Sequence, residues 1–303
     1  AMASMLELPE HWVGDPVTSH QFLSKRADRP LKLTEIDLCF ARGDDIRHSG
    51  TRNLDLLQTI EKTGILFEGI RATLATTDKF EMAVRAPHVP QPITYAASSL
   101  EETKEVLKRL PHEHGYFVLK DRYGYGCGMQ VHRVKFADPE LDKIIDMYIS
   151  KYNHVVLQEF CPEVKNGDLV VTFFDGGLIA PMLREPGWGE WKTNLTFGAN
   201  QKMYTLTAEQ ERIARDVIAV FPEVRFGSVD MLDTGKVIEI NLFPGGKGLY
   251  DIYGISVGTI VMDTLESEIL ELPAPPKDIS APLVEQRVKP WDNIYNLYED
   301  FEP

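Results

Sequence analysis

Cysteine and long apolar runs are scarce in this sequence. The three cysteines, Cys39, Cys127 and Cys161, lie far apart and form no CxxC pair, which predicts reduced thiols and no disulfide framework. No apolar run approaches the roughly 18 residues that a membrane-spanning helix needs, and no signal-peptide pattern is present. These absences argue against a disulfide-stapled secreted domain and indicate a cytoplasmic protein with no membrane partner.

Positive charge is also in deficit. Lys and Arg total 32 against 46 Asp and Glu, which gives a net charge of −14. This balance disfavours a nucleic-acid or anionic-membrane surface, whereas a basic peptide or an amine remains a compatible partner. The eight histidines are scattered, so neither a Ser-His-acid triad nor a histidine-based metal site is predicted.

Apolar residues, in contrast, are plentiful. The 303 residues are 43% hydrophobic, enough to bury a sizeable core. Up to about residue 30 the lack of periodicity predicts loops and short turns. A strand at 36–42 and a helix at 52–62 then indicate a small α/β lobe, which we place at residues 1–75. Residues 76–85 predict one capped helix.

The pattern changes to strands and hairpins after about residue 115, which predicts an α+β domain and not a doubly wound sheet. We place this domain at residues 76–270, with a lid subdomain at about 112–160. A Pro-rich tail at 271–303 follows and is expected to pack on the body. The predicted extended segments and strands are 90–95, 116–121, 130–135, 155–160, 169–174 and 178–184. The predicted helices are 99–110, 138–151, 207–221 and 256–270.

Two apolar segments late in the chain carry oxygen donors among their apolar residues. With Thr234 and Gly235 as a two-residue hairpin loop, Asp230 lies directly opposite Glu239. Side chains alternate between the faces of a strand, so Asn241 joins Glu239 on one face. The other face carries the residues that we expect in the core: Val229, Met231, Ile238 and Ile240.

The acidic pair in this hairpin needs a physical reason. Like charges directly opposite each other are destabilising unless a cation lies between them. Carboxylate and amide oxygens without His or Cys suit Mg²⁺ or Mn²⁺ better than zinc. Asp230, Glu239 and Asn241 are therefore candidate ligands of a divalent cation. An ordinary hairpin with a polar solvent face explains the same residues, and the hairpin alone does not decide between the two.

A glycine-rich loop follows the strand that ends near Lys120. Its glycines, Gly124, Gly126 and Gly128, lack the GxGxxG spacing ahead of a helix, and the sequence has no GxxxxGK[ST] motif. Glycines at a hairpin tip let backbone N–H groups approach phosphate oxygens, and a nearby lysine supplies positive charge. The pattern indicates a phosphate lid, with a flexible hairpin that binds no ligand as the alternative.

The segment 155–162 begins as a buried strand and breaks at a proline. Backbone groups exposed where a strand leaves its sheet can pair with an adenine edge, and apolar side chains can sandwich the ring. The turn at 163–168 ends in Asp168, whose carboxylate is a candidate ribose contact. A solvated turn is the alternative interpretation.

In this order, the segments resemble the ATP-grasp superfamily, and within it the branch of bacterial glutathione synthetases and ribosomal-protein glutamate ligases. The resemblance extends over about residues 40–254, and its most specific part is Val-Ile-Glu-Ile-Asn at 237–241 preceded by Asp230. It implies an α+β ATP-grasp fold, in which two α+β subdomains clamp ATP behind a shortened α/β N-terminal lobe.

The resemblance also implies roles for individual residues. Asp230, Glu239 and Asn241 match the Mg²⁺ ligands, and Lys79 and Lys120 match the lysines that contact the ATP phosphates. The phosphate lid is matched by Gly124, Gly126 and Gly128, and the hinge that contacts adenine is matched by Gln158, Glu159 and Phe160. The ribose contact is matched by Asp168, and the pair that holds the transferred phosphoryl and acyl groups is matched by Arg184 and Asn194.

The implied activity is an ATP-dependent ligase that joins a carboxylate to an amine through an acyl phosphate and releases ADP and phosphate. Its implied cofactors are ATP and Mg²⁺ or Mn²⁺, and its substrates are small-molecule or peptide carboxylates and amines. Trp188 and Trp191 lie beside glycines in a loop, where closing over a substrate and packing in the core are both compatible with the sequence. A catalytically inactive nucleotide-binding scaffold and an enzyme that makes a phosphorylated product without ligation are the alternatives, and homo-oligomerisation is left open.

The chain differs from glutathione synthetases at substrate and phosphate contacts. Leu-Val-Val at 169–171 stands where those enzymes usually carry a basic residue, and Phe-Pro-Gly-Gly-Lys-Gly at 243–248 replaces a polar signature. The region before residue 40 is also short for a full first lobe. The resemblance therefore predicts the chemistry but not glutathione as the product.

Overall fold

The structure is a computed structural model that describes residues 6–7, 21–24, 31–32, 61, 68–123, 128–242, 244 and 246–269. The chain divides into two compact units, Ala1–Leu74 and Ala75–Pro303. The predicted strand at 36–42, most of the helix at 52–62 and the tail at 271–303 lie outside the described residues. The roles given to the predicted domains stay predictions.

The first unit contains a small antiparallel sheet. Its strands are β1 (Leu6–Glu7), β2 (Gln21–Ser24) and β3 (Leu31–Lys32), in the order β1-β2-β3. The prediction of only loops and turns up to about residue 30 is therefore wrong. Strands of two to four residues are too short to show the alternation that identifies a strand in a sequence.

The first sheet of the second unit has four antiparallel strands in the order β4-β7-β5-β6. One face is covered by helices α3 and α4 and holds a core cluster that includes Phe117, Leu119, Ile145 and Leu157. These side chains are fully buried, and the alternation along β5 places Lys120 on the other face of the sheet. The elements are β4 (Thr94–Ala97), α3 (Leu100–Leu107), β5 (Tyr116–Asp121), β6 (Val131–Lys135), α4 (Leu141–Tyr152) and β7 (Val155–Glu159).

The second sheet of this unit has five antiparallel strands in the order β10-β9-β8-β11-β12. Strands β8 and β11 are buried along their whole length, so any polar residue on them lies inside the protein. The elements are β8 (Asp168–Phe174), β9 (Gly177–Glu185), β10 (Asn200–Met203), α5 (Ala208–Val220), β11 (Phe226–Leu232), β12 (Val237–Leu242), α6 (Lys247–Tyr253) and α7 (Val257–Ile269).

The single helix predicted at 76–85 is wrong, because two helices flank a break there: α1 (Ile70–Thr77) and α2 (Glu81–Arg85). Asp78 causes the break. Its carboxylate accepts a hydrogen bond from the Phe80 backbone N–H at 2.9 Å and is bridged by Arg122. A short acidic side chain that bonds the backbone two residues later favours a turn over a helix.

The other predicted helices and strands of the second unit are present with shifted ends, and the α+β class is confirmed. Thr207 and Gln210 cap α5 reciprocally, as a capping box does, and Ser99 accepts from the Glu102 N–H at the start of α3. Strand β10 and helix α6 were not predicted. In the residues that the structure describes, no helix is long and apolar enough to cross a membrane.

Candidate functional site

The hairpin of β11 and β12 sets the position of the candidate metal ligands. Asp230 pairs with Glu239 and Ser228 pairs with Asn241, which confirms the predicted register. The predicted two-residue loop is wrong: the strands end at Leu232 and begin again at Val237, and the register shifts between Asp230 and Met231.

The shift in register is a β-bulge that places one extra residue in β12. Met231 pairs with Val237, and both are buried at 1% exposure or less. Ile238 is the extra residue and is only half-buried, so its predicted place in the core is wrong. The bulge keeps Asp230 and Glu239 opposite each other although the turn is longer than predicted.

Glu239 is the centre of one polar cluster. Its carboxylate accepts hydrogen bonds from Lys79 Nζ at 2.8 Å and from Asn241 Nδ2 at 3.1 Å. Burial acts to raise the pKa of Glu239, but the ammonium groups of Lys79 and Lys120 outweigh it and hold that pKa well below its usual value. Both predicted phosphate-binding lysines, Lys79 and Lys120, therefore interact with Glu239, which also bonds the predicted metal ligand Asn241.

Lys120 is held in an unusual state for a lysine. It is 5% exposed on β5, and burial lowers its pKa to about 8, with Lys79 adding to the effect and Glu239 opposing it. A buried ammonium group without a strong ion pair gains most from an incoming anion. The side chain is thus suited to bind a phosphate.

Asp230 belongs to a second polar cluster, which adjoins the first through its pairing with Glu239. Arg184 donates to Asp168 at 2.9 and 2.5 Å and to Asp230 at 2.8 Å, and Ser228 Oγ donates to Asp230 at 2.8 Å. Burial, aided by the charges of Asp168 and Glu239, raises the pKa of Asp230 to about 6 although Arg184 and Ser228 oppose it. The charges of Asp168 and Glu239 therefore favour a cation beside Asp230.

Asp168 does not end a solvated turn, as one interpretation of the sequence held. It begins β8, is 3% exposed and has both carboxylate oxygens bonded to Arg184. Gly167 precedes it with φ +103°, and a Cβ there would lie 2.5 Å from the Arg184 carbonyl oxygen. Asp168 pairs directly with Arg184 across β8 and β9, which brings its carboxylate to the guanidinium, and a ribose contact stays a prediction.

The predicted adenine hinge lies where β7 leaves its sheet. Gln158 is 6% exposed and donates to Thr94 Oγ1 at 2.9 Å. The Glu159 carboxylate accepts from the Ile93 N–H at 3.0 Å, and Phe160 is buried at 8% exposure. These hydrogen bonds fix the end of β7, and the ring of Phe160 is the apolar group that follows it.

Sequence reasoning missed one charged residue beside the hinge, Lys236. Lys236, in the turn before β12, lies 3.5 Å from Glu159 Oε1 and 3.4 Å from Glu163 Oε1. Glu163 Oε2 is buried without a hydrogen-bond partner. The nearby Cys161 thiol is buried, and burial raises its pKa to about 11. No sequence motif marks Lys236, because it reaches the hinge only through the folding of a distant hairpin.

The predicted lid and acyl-holding residues meet at one point. Lys192 Nζ donates to the Gly128 carbonyl oxygen at 2.8 Å. Gly128 has φ +74°, and a Cβ there would lie 2.5 Å from Asn194 Oδ1. Gly124 and Gly126 lie outside the described residues. Lys192 is the other residue that the sequence analysis missed.

The donor set fits a divalent cation of the Mg²⁺ type. Asp230 and Glu239 supply carboxylate oxygens across one hairpin, and Asn241 adds an amide oxygen on the same side. Mg²⁺ is commonly bound by one or two carboxylates together with substrate phosphates. Among the described residues no group of three His, Cys, Asp or Glu side chains forms a metal site.

Comparisons of sequence give consistent matches. A model of the prokaryotic glutathione synthetase ATP-grasp domain matches residues 87–252. The glutathione synthetase of Vibrio cholerae serotype O1 is 27% identical over 278 residues, which cover 89% of this chain and 82% of that protein. A probable alpha-L-glutamate ligase of Aliivibrio salmonicida is 25% identical over 182 residues, 59% of this chain and 58% of that protein.

Several solved structures resemble this chain in fold, at lower sequence identity. D-alanyl-alanine synthetase A from Vibrio cholerae has a TM-score of 0.59 at 14% identity and covers 88% of this chain and 83% of its own. D-cycloserine synthetase has a TM-score of 0.57 at 19% identity, with 72% and 82% covered. The ATP-grasp ligase PsnB, complexed with a minimal precursor, has a TM-score of 0.54 at 16% identity, with 88% and 85% covered.

Proposed function

Because the chain belongs to the prokaryotic glutathione synthetase ATP-grasp family, we propose that it joins a carboxylate to an amine through an acyl phosphate formed from ATP. The fold is the predicted ATP-grasp fold, and the enzyme is an ADP-forming carbon–nitrogen ligase. The acyl-phosphate step and the residue roles that follow are the proposal.

One observation carries the proposal: anion-binding and cation-binding groups are interleaved in adjoining clusters. Lys79 contacts Glu239, and Arg184 contacts Asp230, while Glu239 and Asp230 face each other across the hairpin. Such an arrangement serves a phosphate and its divalent cation together, because each finds charges of the opposite sign. An ordinary polar hairpin does not need two basic side chains bonded to its acidic pair.

Asp230, Glu239 and Asn241 would hold Mg²⁺, which, when bound, neutralises charge on the phosphates as the phosphoryl group moves. Lys79 and Lys120 bind phosphate oxygens. When nucleotide binds, Lys79 exchanges its contact with Glu239 for a phosphate contact, and Lys120 gains an anion in addition to the charge of Glu239. The two lysines thereby hold the nucleotide for transfer.

Arg184 orients the carboxylate that is being activated. Its planar guanidinium already spans Asp168 and Asp230, so it is held in a fixed orientation by two acidic groups. A fork of this kind binds two anionic oxygens at once, as an acyl phosphate requires. Asn194 lies against Gly128, where the lid strand returns, and supplies an amide beside the reacting groups.

The hinge holds the nucleoside part. Phe160 provides an apolar surface for the base, and Gln158 and Glu159 fix the strand end that presents backbone groups to the adenine edge. Glu163 fits the ribose contact better than Asp168, because its Oε2 has no hydrogen-bond partner while both Asp168 oxygens are bonded. A ribose hydroxyl donating to Glu163 would satisfy that oxygen.

The substrates are a carboxylate and an amine of small-molecule or peptide size. The relatives include glutathione synthetases and a probable glutamate ligase, and one structural neighbour was solved with a precursor peptide. Residues 169–171 of this chain form buried, apolar positions on β8, where a basic substrate contact is absent. We therefore propose the reaction class and leave glutathione out of it.

The test is ADP and phosphate release from MgATP in the presence of mixtures of amino acids, small peptides and carboxylates, with mass spectrometry of the products. ADP that appears only with one acid and one amine, together with an amide product, supports the proposal. AMP as product contradicts the acyl-phosphate route, and a phosphorylated acid without an amide shows a kinase instead. Nucleotide binding with no turnover on any mixture shows an inactive binding module.

A further inference from the structure

Three aromatic side chains surround the guanidinium of Arg133, at the edge of the first sheet of the second unit. The Cζ atom of Arg133 lies 4.9 Å from the ring centroid of Tyr116, 5.2 Å from that of Phe160 and 5.8 Å from that of Trp191. Phe160 also meets Trp191 nearly edge-on, with centroids 5.9 Å apart, and lies 6.0 Å from Tyr116. We call these four residues the Arg133 cluster.

The cluster joins three segments of the proposed site. Tyr116 and Arg133 are on the lid strands β5 and β6, Phe160 follows β7 at the hinge, and Trp191 is in the β9–β10 loop, residues 186–199. The next residue in that loop, Lys192, donates to the Gly128 carbonyl. The loop is thus held at neighbouring residues, once to the hinge and once to the lid.

Strand register places the cluster on the nucleotide side of the sheet. Arg133 pairs with Val118, and Lys120 pairs with Val131. Directly paired residues share a face and residues two apart share it again, so Arg133 lies on the same face as Lys120. The opposite face is filled by the apolar core, including Phe117 and Leu119.

The two tryptophans of the β9–β10 loop differ sharply in their surroundings. Trp188 is 103% exposed, whereas Trp191, three residues later, is half-buried in the Arg133 cluster. The two tryptophans therefore differ: Trp188 is free to contact a substrate, whereas Trp191 is packed against other side chains. Trp191 is held to the hinge by an edge-to-face contact with Phe160 and by a cation–π contact with Arg133. Contacts of these types are individually weak, so a ligand at Phe160 is able to alter the packing of Trp191.

We propose that Arg133 is a positioning residue that couples nucleotide at the hinge to the β9–β10 loop, by holding Trp191 against Phe160. The inference rests on the proposed function, because it takes Phe160 as the surface on which the base lies. A nucleotide that contacts Phe160 changes the packing of Trp191, and an ordered Trp191 favours nucleotide by the same factor, since coupling between sites is reciprocal.

Trp191 fluorescence tests the proposal directly. The chain has four tryptophans, Trp12, Trp188, Trp191 and Trp291. The parent protein for this experiment therefore carries Phe in place of Trp12, Trp188 and Trp291, so that Trp191 is its sole indole. MgADP is titrated while emission and acrylamide quenching are recorded, and calorimetry on the same protein gives the nucleotide dissociation constant. We expect emission to change with a midpoint equal to that constant and quenching to fall.

The decisive variants are matched for charge, strand and face. Arg133→Gln removes the guanidinium and is expected to halve the emission change at least and to weaken MgADP binding about two- to fivefold. Lys135→Gln removes a positive charge two residues away, where the ammonium stacks on Tyr116 at 6.0 Å, and is expected to alter neither. Arg133→Lys keeps the positive charge but lacks the planar guanidinium, so its emission change and its MgADP affinity should lie between those of Arg133→Gln and Lys135→Gln.

The outcomes separate the two proposals. MgADP binding by calorimetry with no change in Trp191 emission overturns the coupling and leaves the proposed function standing. Equal effects of Arg133→Gln and Lys135→Gln also overturn the coupling, because they reduce it to general charge. Absence of any nucleotide binding by the parent overturns the proposed function itself. Far-UV circular dichroism of each variant confirms that the fold is retained, as expected for substitutions of exposed side chains.

Discussion

A buried carboxylate that faces other carboxylates is unstable in its charged form, and Asp230 is such a group. Burial and the charges of Asp168 and Glu239 raise its pKa to about 6, above the value of an unfolded aspartate. Its contribution to stability is therefore present at low pH and lost as the pH rises through about 6. A binding site for a cation is kept at the expense of stability in the ligand-free protein.

Asp230→Asn should consequently stabilise the ligand-free protein at pH 7.5, and the gain should exceed the gain at pH 5 by about 1 kcal/mol. The Asn amide can turn its oxygen to Arg184 and its nitrogen to the Ser228 hydroxyl. Urea unfolding in EDTA at both pH values measures this, with exposed Asp251→Asn as the control. A loss of stability at pH 7.5, or an unchanged response to Mg²⁺ with ADP, would contradict the assignment.

Lys120 gives a second prediction, on the pH dependence of nucleotide affinity. Its pKa of about 8 means that the free protein loses this positive charge as the pH rises through 8. Bound phosphate keeps the lysine protonated, so binding above pH 8 must take up a proton and affinity must fall, by at most about tenfold per pH unit.

Calorimetric titrations of MgADP between pH 6.5 and 9.5 measure this effect. Affinity should be nearly constant below pH 8 and decline above it. The matched variant Lys120→Arg stays protonated throughout, so its profile should be flat, whatever its absolute affinity. A wild-type profile that is flat to pH 9.5 would show that Lys120 does not contact phosphate.

At the scale of secondary-structure elements, the sequence was most informative where a single strand pair explained the pattern. The register that brings Asp230 to Glu239 follows from alternation and a turn signal, and it is confirmed. The bulge at Met231 does not follow, because Val237 and Ile238 are equally apolar and only packing decides which is buried. The break at Asp78 was missed because it depends on Arg122, a distant residue.

Contacts between elements could not be predicted from the sequence for the same reason. Arg184 was singled out, but its bonds to Asp168 and Asp230 arise because β8 lies between β9 and β11. Lys192 and Lys236 were not singled out at all, since each reaches its partners through another part of the chain. Strand order and side-chain reach are set by tertiary packing, which a local pattern does not encode.

The meeting of the lid strand with the β9–β10 loop gives an element-scale prediction. Gly115 and Gly128 have similar positive φ values, +70° and +74°, but a Cβ at Gly115 has nothing within 4 Å, whereas one at Gly128 meets Asn194 at 2.5 Å. Gly115→Ala should cost about 1 to 2 kcal/mol from backbone strain alone. Gly128→Ala should cost more than this, because the Asn194 amide must turn away from the new Cβ.

Urea unfolding of both variants measures the difference, and a double variant identifies its origin. Adding Asn194→Ala to Gly128→Ala removes the amide that the new Cβ meets, so most of the excess should disappear while the backbone strain remains. Equal costs for Gly115→Ala and Gly128→Ala would show that the contact between lid strand and loop is not maintained in solution.

At the scale of the whole molecule, every residue proposed to bind nucleotide or metal lies in the second unit, Ala75–Pro303. The family match, residues 87–252, also lies within it. The first unit therefore has no assigned part in nucleotide binding.

A fragment of residues 68–303 keeps helix α1 whole and should bind MgADP within about threefold of the full chain. At a hundredfold excess over the dissociation constant, MgADP should stabilise either protein by about 2.7 kcal/mol, and EDTA should remove most of that gain. Thermal unfolding with and without MgADP measures this. A fragment that folds by circular dichroism but shows no stabilisation would place part of the nucleotide site in the first unit.

The strand order of the second sheet has a consequence for folding. Strand β11, which carries Asp230, pairs with β8 across a long connection whose ends are clasped by Arg225 and Asp175 at 2.7 Å. Closing such a loop before its contacts form is slow, because chain entropy is lost first. Competence to bind nucleotide should therefore appear later in refolding than secondary structure does. Stopped-flow circular dichroism beside binding of a fluorescent ADP analogue would detect this delay, and simultaneous signals would show that the sheet closes early.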